Sequence, residues 1–198
     1  MGLLNNILGN AMVYAESFGL TEKYTYEQAL NVLLDSKPNA IELAKAENTM
    51  AMAHKITGSM AKRDIGVALC KTYGVLTDAK THQSRLYEAA DFLCASAVEA
   101  AEEEDHSSFD VLKRVMESVY AKSIGLGEIV LEYIFEVKQF DGTEYVYLAC
   151  ANMYGWGCAV NPEAARKYLK ENALNELKEA YHKGIYRLLA EWDATGKE

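Results

Sequence analysis

The most informative part of the sequence is residues 148–173, which read LACANMYGWGCAVNPEAARKYLKENA. Two stretches with helical spacing lie on either side of Gly155 and Gly157, and glycine adopts the positive φ of a tight turn more easily than other residues. The second stretch begins with Asn-Pro-Glu at 161–163, a capping side chain followed by a proline and an acid that suit a helix start. The segment therefore predicts two antiparallel helices joined by a glycine turn.

This segment resembles, without a gap, the Sel1-like repeat, a relative of the tetratricopeptide repeat. The resemblance rests on Leu148 and Ala149 in the first helix, Gly155 and Gly157 in the turn, Asn161 at the start of the second helix, and Ala165, Tyr168 and Ala173 at its packing positions. The segment departs from the family pattern at Asn152, Cys158 and Leu169. The resemblance implies an adaptor, because Sel1-like proteins generally hold other proteins on a curved helical surface and catalyse nothing.

The rest of the chain also has the hydrophobic spacing of helices, about nine in all. Thr25 and Gln28 match a capping box and predict the start of one helix. A second is expected to end near Gly58, and a third to run from Ile65 to Leu76. Only two prolines occur in the chain, which favours uninterrupted helices.

Residues 128–137 are the one segment where a strand competes with a helix. Glutamates recur there at 128, 132 and 136. In a strand they would share a face with Val130 and Ile134, whereas in a helix they form a polar stripe with the apolar residues behind it. The pattern predicts a helix.

These observations predict an all-α fold, in which a Sel1- or tetratricopeptide-like stack of antiparallel helical hairpins forms an α-solenoid. The length of 198 residues suits a single helical domain over 1–198. Residues 143–198 are expected to form the Sel1-like region and residues 1–140 diverged hairpins, because a repeat needs neighbours to bury its faces.

The charge balance excludes several partners. The chain has 20 basic and 29 acidic residues and a net charge of -9. A chain this acidic, without a basic stripe, repels phosphate backbones and anionic lipids. We therefore expect neither a nucleic acid nor a membrane as partner, and a protein partner with a basic surface is the natural complement.

Cysteine usage and the N-terminus favour a soluble cytoplasmic protein. The four cysteines form no CxxC pair, which is typical of reduced thiols in the cytosol. The first residues lack the basic stretch and the unbroken apolar run of a signal peptide.

Two groups of residues are candidates for partner binding. An aromatic group clusters around one helix and its turn, where not all rings can point inward, and an acidic group lies in a run without Lys or Arg. The aromatic group consists of Tyr145, Tyr147, Tyr154 and Trp156. The acidic group consists of Glu102, Glu103, Glu104 and Asp105. Tyrosine and tryptophan are typical anchors at interfaces, and an acidic patch attracts a basic partner. The alternative interpretations are core packing for the aromatic residues and a hydrated surface for the acids.

Two Glu-x-x-His spacings, at 103–106 and 179–182, suggest an alternative, because such pairs bind metals in ferritin-like bundles. Their surroundings indicate a solvated helix end and a polar helix face instead. No nucleophile motif or phosphate-binding loop is present. The sequence therefore predicts a non-enzymatic protein-interaction module without catalytic residues, cofactor or metal. The alternatives are a small immunity-type inhibitor of one enzyme and an all-α metal-binding protein.

Overall fold

The computed structural model describes residues 23–35, 37–73 and 79–195, and all regular secondary structure in these ranges is helical. This confirms the prediction of an all-α fold for this part of the chain. Expectations for the N-terminus and for Leu76 concern residues outside these ranges. The helices are α1 (Tyr26–Leu34), α2 (Ala40–Ala51), α3 (Ala53–Thr57), α4 (Met60–Thr72), α5 (Ala79–Glu102), α6 (Ser107–Met116), α7 (Val119–Ser123), α8 (Leu126–Glu136), α9 (Thr143–Tyr154), α10 (Pro162–Lys167, a π-helical stretch Tyr168–Ala173, and Leu174–Glu176) and α11 (Glu179–Thr195).

Two helix starts have the caps that the sequence predicts. At α1, the Thr25 hydroxyl accepts a hydrogen bond from the Gln28 amide (3.2 Å), and the Gln28 side chain accepts one from the Thr25 amide (2.9 Å). At α10, the Asn161 side chain accepts a hydrogen bond from the Ala164 amide (3.1 Å), and Pro162 is the first helical residue. These caps satisfy amide groups that lack a partner within the helix.

The helix expected to end near Gly58 is instead two helices, α2 and α3, separated at Met52. Gly58 does end the second of them in the left-handed conformation, with φ of 74°. No glycine or proline accompanies the break at Met52, so the sequence carried no local signal for it.

The helical prediction for residues 128–137 is confirmed by α8. Val130 and Ile134 are fully buried. The three glutamates at 128, 132 and 136 are all exposed. This separation of polar and apolar residues on two faces is the one expected for an amphipathic helix.

The 24-residue helix α5 is the centre of the described fold, because α4, α6, α8, α9 and α11 all pack against it. Small buried side chains allow neighbouring helix axes to come close. In α5 these are Ala89, Ala90, Ala97, Ala100 and Ala101. Helix α11 approaches α5 so closely that a Cβ on Gly184 would collide with the carbonyl oxygen of Ala101.

The arrangement of the described helices does not confirm the predicted α-solenoid. In a linear stack each hairpin contacts only its neighbours in sequence. Helix α5 instead contacts α11, although α6 to α10 lie between them in the chain. The small side chains of α5 explain the difference, since they let other helices approach a single helix from several sides. The stacking of successive hairpins is therefore not confirmed.

The helix pair over residues 148–173 is present as α9 and α10, which pack against each other. The repeat positions Leu148, Ala149, Ala165 and Ala173 are buried, and Tyr168 is half-buried. Both turn glycines, 155 and 157, have positive φ, and Asn161 caps the second helix. The hairpin expected from the sequence is thus formed, whereas its membership of the Sel1-like family stays a prediction.

The turn of this hairpin lies directly on the N-terminus of α8. A Cβ on Gly157 would collide with the backbone of Gly127, and a Cβ on Gly127 would collide with the backbone of Gly157. Gly157 also has φ of 75°. Two backbones can approach this closely only where neither residue has a side chain.

We expect Gly157→Ala to lower the free energy of unfolding by about 3 kcal/mol or more, because it adds backbone strain and pushes two backbones apart. Gly58→Ala is the matched control, since Gly58 has φ of 74° but no atom within 4 Å of its added Cβ. Gly58→Ala should lower the free energy of unfolding by about 1 kcal/mol, because it adds only the strain of a non-glycine residue at positive φ. Urea denaturation of both variants measures the difference, and equal losses would contradict a tight α8–turn contact.

Candidate protein-binding surface

Tyr147 and Trp156, expected at the surface, are buried, with 0% and 3% of their area exposed. The expectation that these two side chains are exposed is therefore wrong. The physical reason is that α9 is covered on most sides, and the glycine turn folds Trp156 back onto it. The Trp156 ring lies 5.4 Å from that of Tyr154 and 5.8 Å from that of Tyr147, between centroids.

Tyr154 joins three helices. Its ring lies 6.1 Å from that of Phe109 in α6 and 6.2 Å from that of Trp192 in α11, and its hydroxyl accepts a hydrogen bond from the Trp192 indole (3.0 Å). The Lys113 ammonium lies 4.6 Å from the centre of the same ring. Burial raises the pKa of Tyr154 to about 12. These contacts assign Tyr154 to internal packing rather than to a free surface.

Tyr145 is the predicted aromatic residue that remains half-exposed. Its ring lies 5.6 Å from that of Phe140, which is 48% exposed, and 6.3 Å from that of Tyr168. Tyr168 is also where α10 becomes π-helical. We call Phe140, Tyr145 and Tyr168 the aromatic patch.

A groove of about 520 Å³ lies between α5 and α8, lined by Tyr87, Tyr133 and Val137, with the acids Glu88 and Asp91 on its α5 side. The two tyrosine rings are 5.5 Å apart. We call this surface the α5/α8 groove. Val137 lies at its edge and is 51% exposed, and Phe140 follows three residues later in the chain.

The tyrosine hydroxyls of the groove are held by carboxylates. Tyr87 donates a hydrogen bond to Glu132 (2.8 Å), and Tyr133 donates one to Asp91 (3.0 Å). Both bonds run between α5 and α8. They fix the two rings in position, so that the groove keeps an apolar lining between its polar edges.

An ion-pair network around the buried Glu144 holds the loop that joins the groove to the aromatic patch. The Lys138 ammonium lies 2.9 Å from Asp91 and 3.2 Å from Glu144, which is fully buried. Glu144 also accepts hydrogen bonds from the amides of Asp141 (3.2 Å) and Gly142 (3.0 Å). Burial lowers the pKa of Lys138, but the hydrogen bond and charge of Asp91, with the charge of Glu144, outweigh it and raise this pKa above its usual value.

The acidic residues 102–105 make several contacts within the chain, but among the described side chains only Glu104 has an ion-pair partner. Glu103 accepts a hydrogen bond from the Ser59 hydroxyl, and Glu104 pairs with Lys183 at 3.0 Å. Asp105 accepts hydrogen bonds from the Ser107 amide (3.1 Å) and hydroxyl (2.9 Å) at the start of α6. Three of the four predicted acids are thus engaged within the chain, and Glu102 is exposed. Binding of a basic partner by these residues stays a prediction.

Glu99, one turn before this run, is half-buried, and its Oε2 atom is buried without a hydrogen-bond partner. Burial, with the charge of the neighbouring Asp64 as a second cause, raises the pKa of Glu99 to about 7. Burial also raises the pKa of Asp64, although Arg63 lies against it and opposes the shift.

The histidines of the two Glu-x-x-His spacings each have a polar partner within the chain. His106 Nε2 lies 2.9 Å from a carboxylate oxygen of Glu191, and His182 Nε2 lies 3.1 Å from the carbonyl oxygen of Leu177. Within the described ranges no group of three or more His, Cys, Asp or Glu side chains is arranged to hold a metal ion. None of the helices described is both long enough and apolar enough to cross a membrane.

The comparisons with known proteins identify no relative. No family model matches the chain, no curated protein matches it, and no solved structure matches it.

Sequence reasoning missed Tyr87, Tyr133, Val137 and Phe140. The glutamate stripe of α8 revealed its solvent face, but nothing local indicated that α5 would lie beside it. A groove between two helices needs residues from both, and here Tyr87 and Tyr133 are 46 positions apart in the chain. The one available signal was the presence of Phe135, Val137 and Phe140 among the polar residues Glu136, Lys138 and Gln139 at the end of a helix, where not all three apolar side chains can share one buried face.

We expect Lys138→Met to lower the free energy of unfolding at pH 7 by about 3 kcal/mol, because it leaves the buried Glu144 without a cation. The double variant Lys138→Met/Glu144→Gln should recover part of this loss. Lys183→Met is the control, since Lys183 and Glu104 are 81% and 82% exposed, and it should leave the urea midpoint unchanged. Equal effects of the two lysine variants would contradict the buried network.

The raised pKa of Glu99 predicts a pH effect. Folded Glu99 holds a proton up to about pH 7, whereas the unfolded side chain releases it near the usual value of 4.5. Stability is therefore lost as the pH rises through this interval. Glu99→Gln cannot ionise, so it should be more stable than the native chain at pH 8 and similar to it at pH 4 in urea denaturation.

Glu104→Gln is the control for this pH effect. Lys183 lowers the pKa of Glu104, so that the pKa shift of Glu104 is opposite in sign to that of Glu99. Glu104→Gln should give no gain at pH 8. A Glu99→Gln variant that is less stable than the native chain at pH 8 would show that the buried carboxylate has a favourable partner.

Proposed function

We propose that this protein is a non-enzymatic protein-binding module whose binding surface consists of the α5/α8 groove and the aromatic patch. The observation that carries the proposal is the exposure of large apolar side chains at the groove and at the patch. Val137, at the edge of the groove, and Phe140, in the aromatic patch, are 51% and 48% exposed. Apolar side chains grouped at a surface are typical of sites that a partner covers.

The chemistry of the surrounding residues supports the proposal. Tyrosines at 87, 133 and 145 offer large, rigid contact areas that lose little conformational entropy on binding. The Lys138 network holds the loop between the groove and the patch. A surface that is already ordered keeps more of its contact energy as affinity.

The resemblance of residues 148–173 to a Sel1-like repeat supports the same function. In this proposal the α9–α10 hairpin is a repeat-like unit that presents Tyr145 and Tyr168 to the partner. Sel1-like hairpins hold other proteins on a curved surface, and the protein would accordingly act as an adaptor. Four free cysteines, two of them fully buried, support a place in the reducing cytoplasm.

Site-specific photo-crosslinking tests the proposed surface. A photoreactive amino acid replaces Phe140 in the full chain, and in a second sample it replaces Tyr186, which is 59% exposed on α11. In cells of the source organism, the Phe140 position is expected to crosslink one or a few discrete proteins that the Tyr186 position does not capture. The purified partner should then form a complex with the purified chain.

Val137→Asp should abolish this crosslink, because it places a charge at the apolar edge of the groove. Val160→Asp is the matched control, since Val160 is 60% exposed in the turn before α10, and it should leave the crosslink intact. Circular dichroism verifies the fold of both. Equal capture from positions 140 and 186, or none from either, would refute the proposed surface.

A further inference from the structure

We infer that the α5/α8 groove binds a cationic amphipathic helix of the partner, with Lys or Arg along the side of its apolar stripe that faces α8. This inference rests on the proposed function, because it names the partner chemistry of the same surface.

The shape of the groove suits a helix. Its walls are two helices, and its apolar lining comes from Tyr87 and Tyr133, with Val137 at one end. Helix α8 has 11 residues and is therefore about 16 Å long. A partner helix alongside it would bring about three turns into contact, with apolar anchors at positions i, i+3 or i+4, and i+7.

The charges of the two walls differ. On the α5 wall, Glu88 pairs with Lys71 and Asp91 pairs with Lys138. On α8, Glu132 and Glu136 lie beside the groove, near Tyr87, and are exposed. Among the side chains that the structure describes, neither has an ion-pair partner. Glu132 accepts hydrogen bonds from Tyr87 and Gln83, which leave its negative charge uncompensated.

The uncompensated charge beside the groove therefore lies on α8, where Glu132 and Glu136 are one helical turn apart. A stripe of carboxylates at helical spacing complements a stripe of cations at the same spacing on a neighbouring helix. Such complementarity accelerates association and selects against acidic partners. Because the acids on α5 are paired and those on α8 are not, we place the partner's Lys or Arg residues on the side of its apolar stripe that faces α8.

The same charge argues against other occupants. A second copy of this chain would bring its own net charge of -9 and the same acidic wall. Nucleic acids and anionic membranes would be repelled for the same reason. A basic helix with an apolar face satisfies both the lining and the charge of the groove.

Three synthetic peptides of 18 residues test the inference with the purified full chain. One has leucines at i, i+3, i+4 and i+7 spacing flanked by lysines, the second has glutamates in place of the lysines, and the third is a scramble of the first. Fluorescence anisotropy should show binding of the lysine peptide that weakens as salt is raised from about 0.05 M to 0.5 M. The glutamate peptide and the scramble should bind at least about tenfold more weakly.

Matched variants locate the site. Glu136→Lys should weaken binding of the lysine peptide about two- to tenfold at low salt, because it reverses a charge on the α8 wall. Glu117→Lys changes the net charge equally at the exposed C-terminal end of α6, and it should leave the affinity unchanged. Val137→Asp should abolish binding, and circular dichroism confirms that each variant is folded.

The outcomes separate this inference from the proposed function. Equal binding of the lysine peptide and its scramble, stronger binding of the glutamate peptide, or equal effects of Glu136→Lys and Glu117→Lys would overturn the inference. Sedimentation that shows a dimer broken by Val137→Asp would also overturn it. If the Phe140 crosslink still captures a partner in these cases, the protein-binding function stands with a different partner chemistry. If the crosslink is lost as well, the proposed function and the inference are both refuted.

Discussion

The close packing of helices against α5 is the constraint on which the rest of the described structure depends. Its buried face is rich in alanine, so that several helices approach it from different directions. Gly184 extends this principle to α11, because its missing side chain lets that helix rest on the end of α5. A helix lined with large residues would hold its neighbours farther apart. One central helix thereby brings together segments that are distant in the chain.

The candidate binding surface is a consequence of that packing. Helix α8 lies beside α5, and the space between their exposed faces is the α5/α8 groove. The loop after α8 would be free to move if Lys138 did not tie it to α5 and to the start of α9. The contact between Lys138 and α9 requires the charged carboxylate of Glu144 to be buried. Charge burial of this kind is tolerated where several hydrogen bonds and a cation compensate it.

The sequence predicted the fold class and the local elements well because these depend on short-range chemistry. The capping box at Thr25 and the cap at Asn161 are satisfied by groups within three residues. The break at Met52 was missed because no residue there disfavours a helix. The burial of Tyr147 and Trp156 was also missed, since a ring on a helix is equally compatible with core and surface until its neighbours are known. The contacts of Glu103 with Ser59 and of Glu104 with Lys183 were not predicted, because these partners are far away in the chain.

By itself, then, the sequence determined that the chain is helical, where several helices begin, and that a glycine turn joins α9 to α10. Each of these properties depends on backbone conformation and on hydrogen bonds between residues a few positions apart. The tertiary structure alone decided which aromatic side chains face solvent, which acids are neutralised, and that a groove exists beside α8. Those properties depend on which helix covers which face, and that is set by the packing of many distant side chains at once.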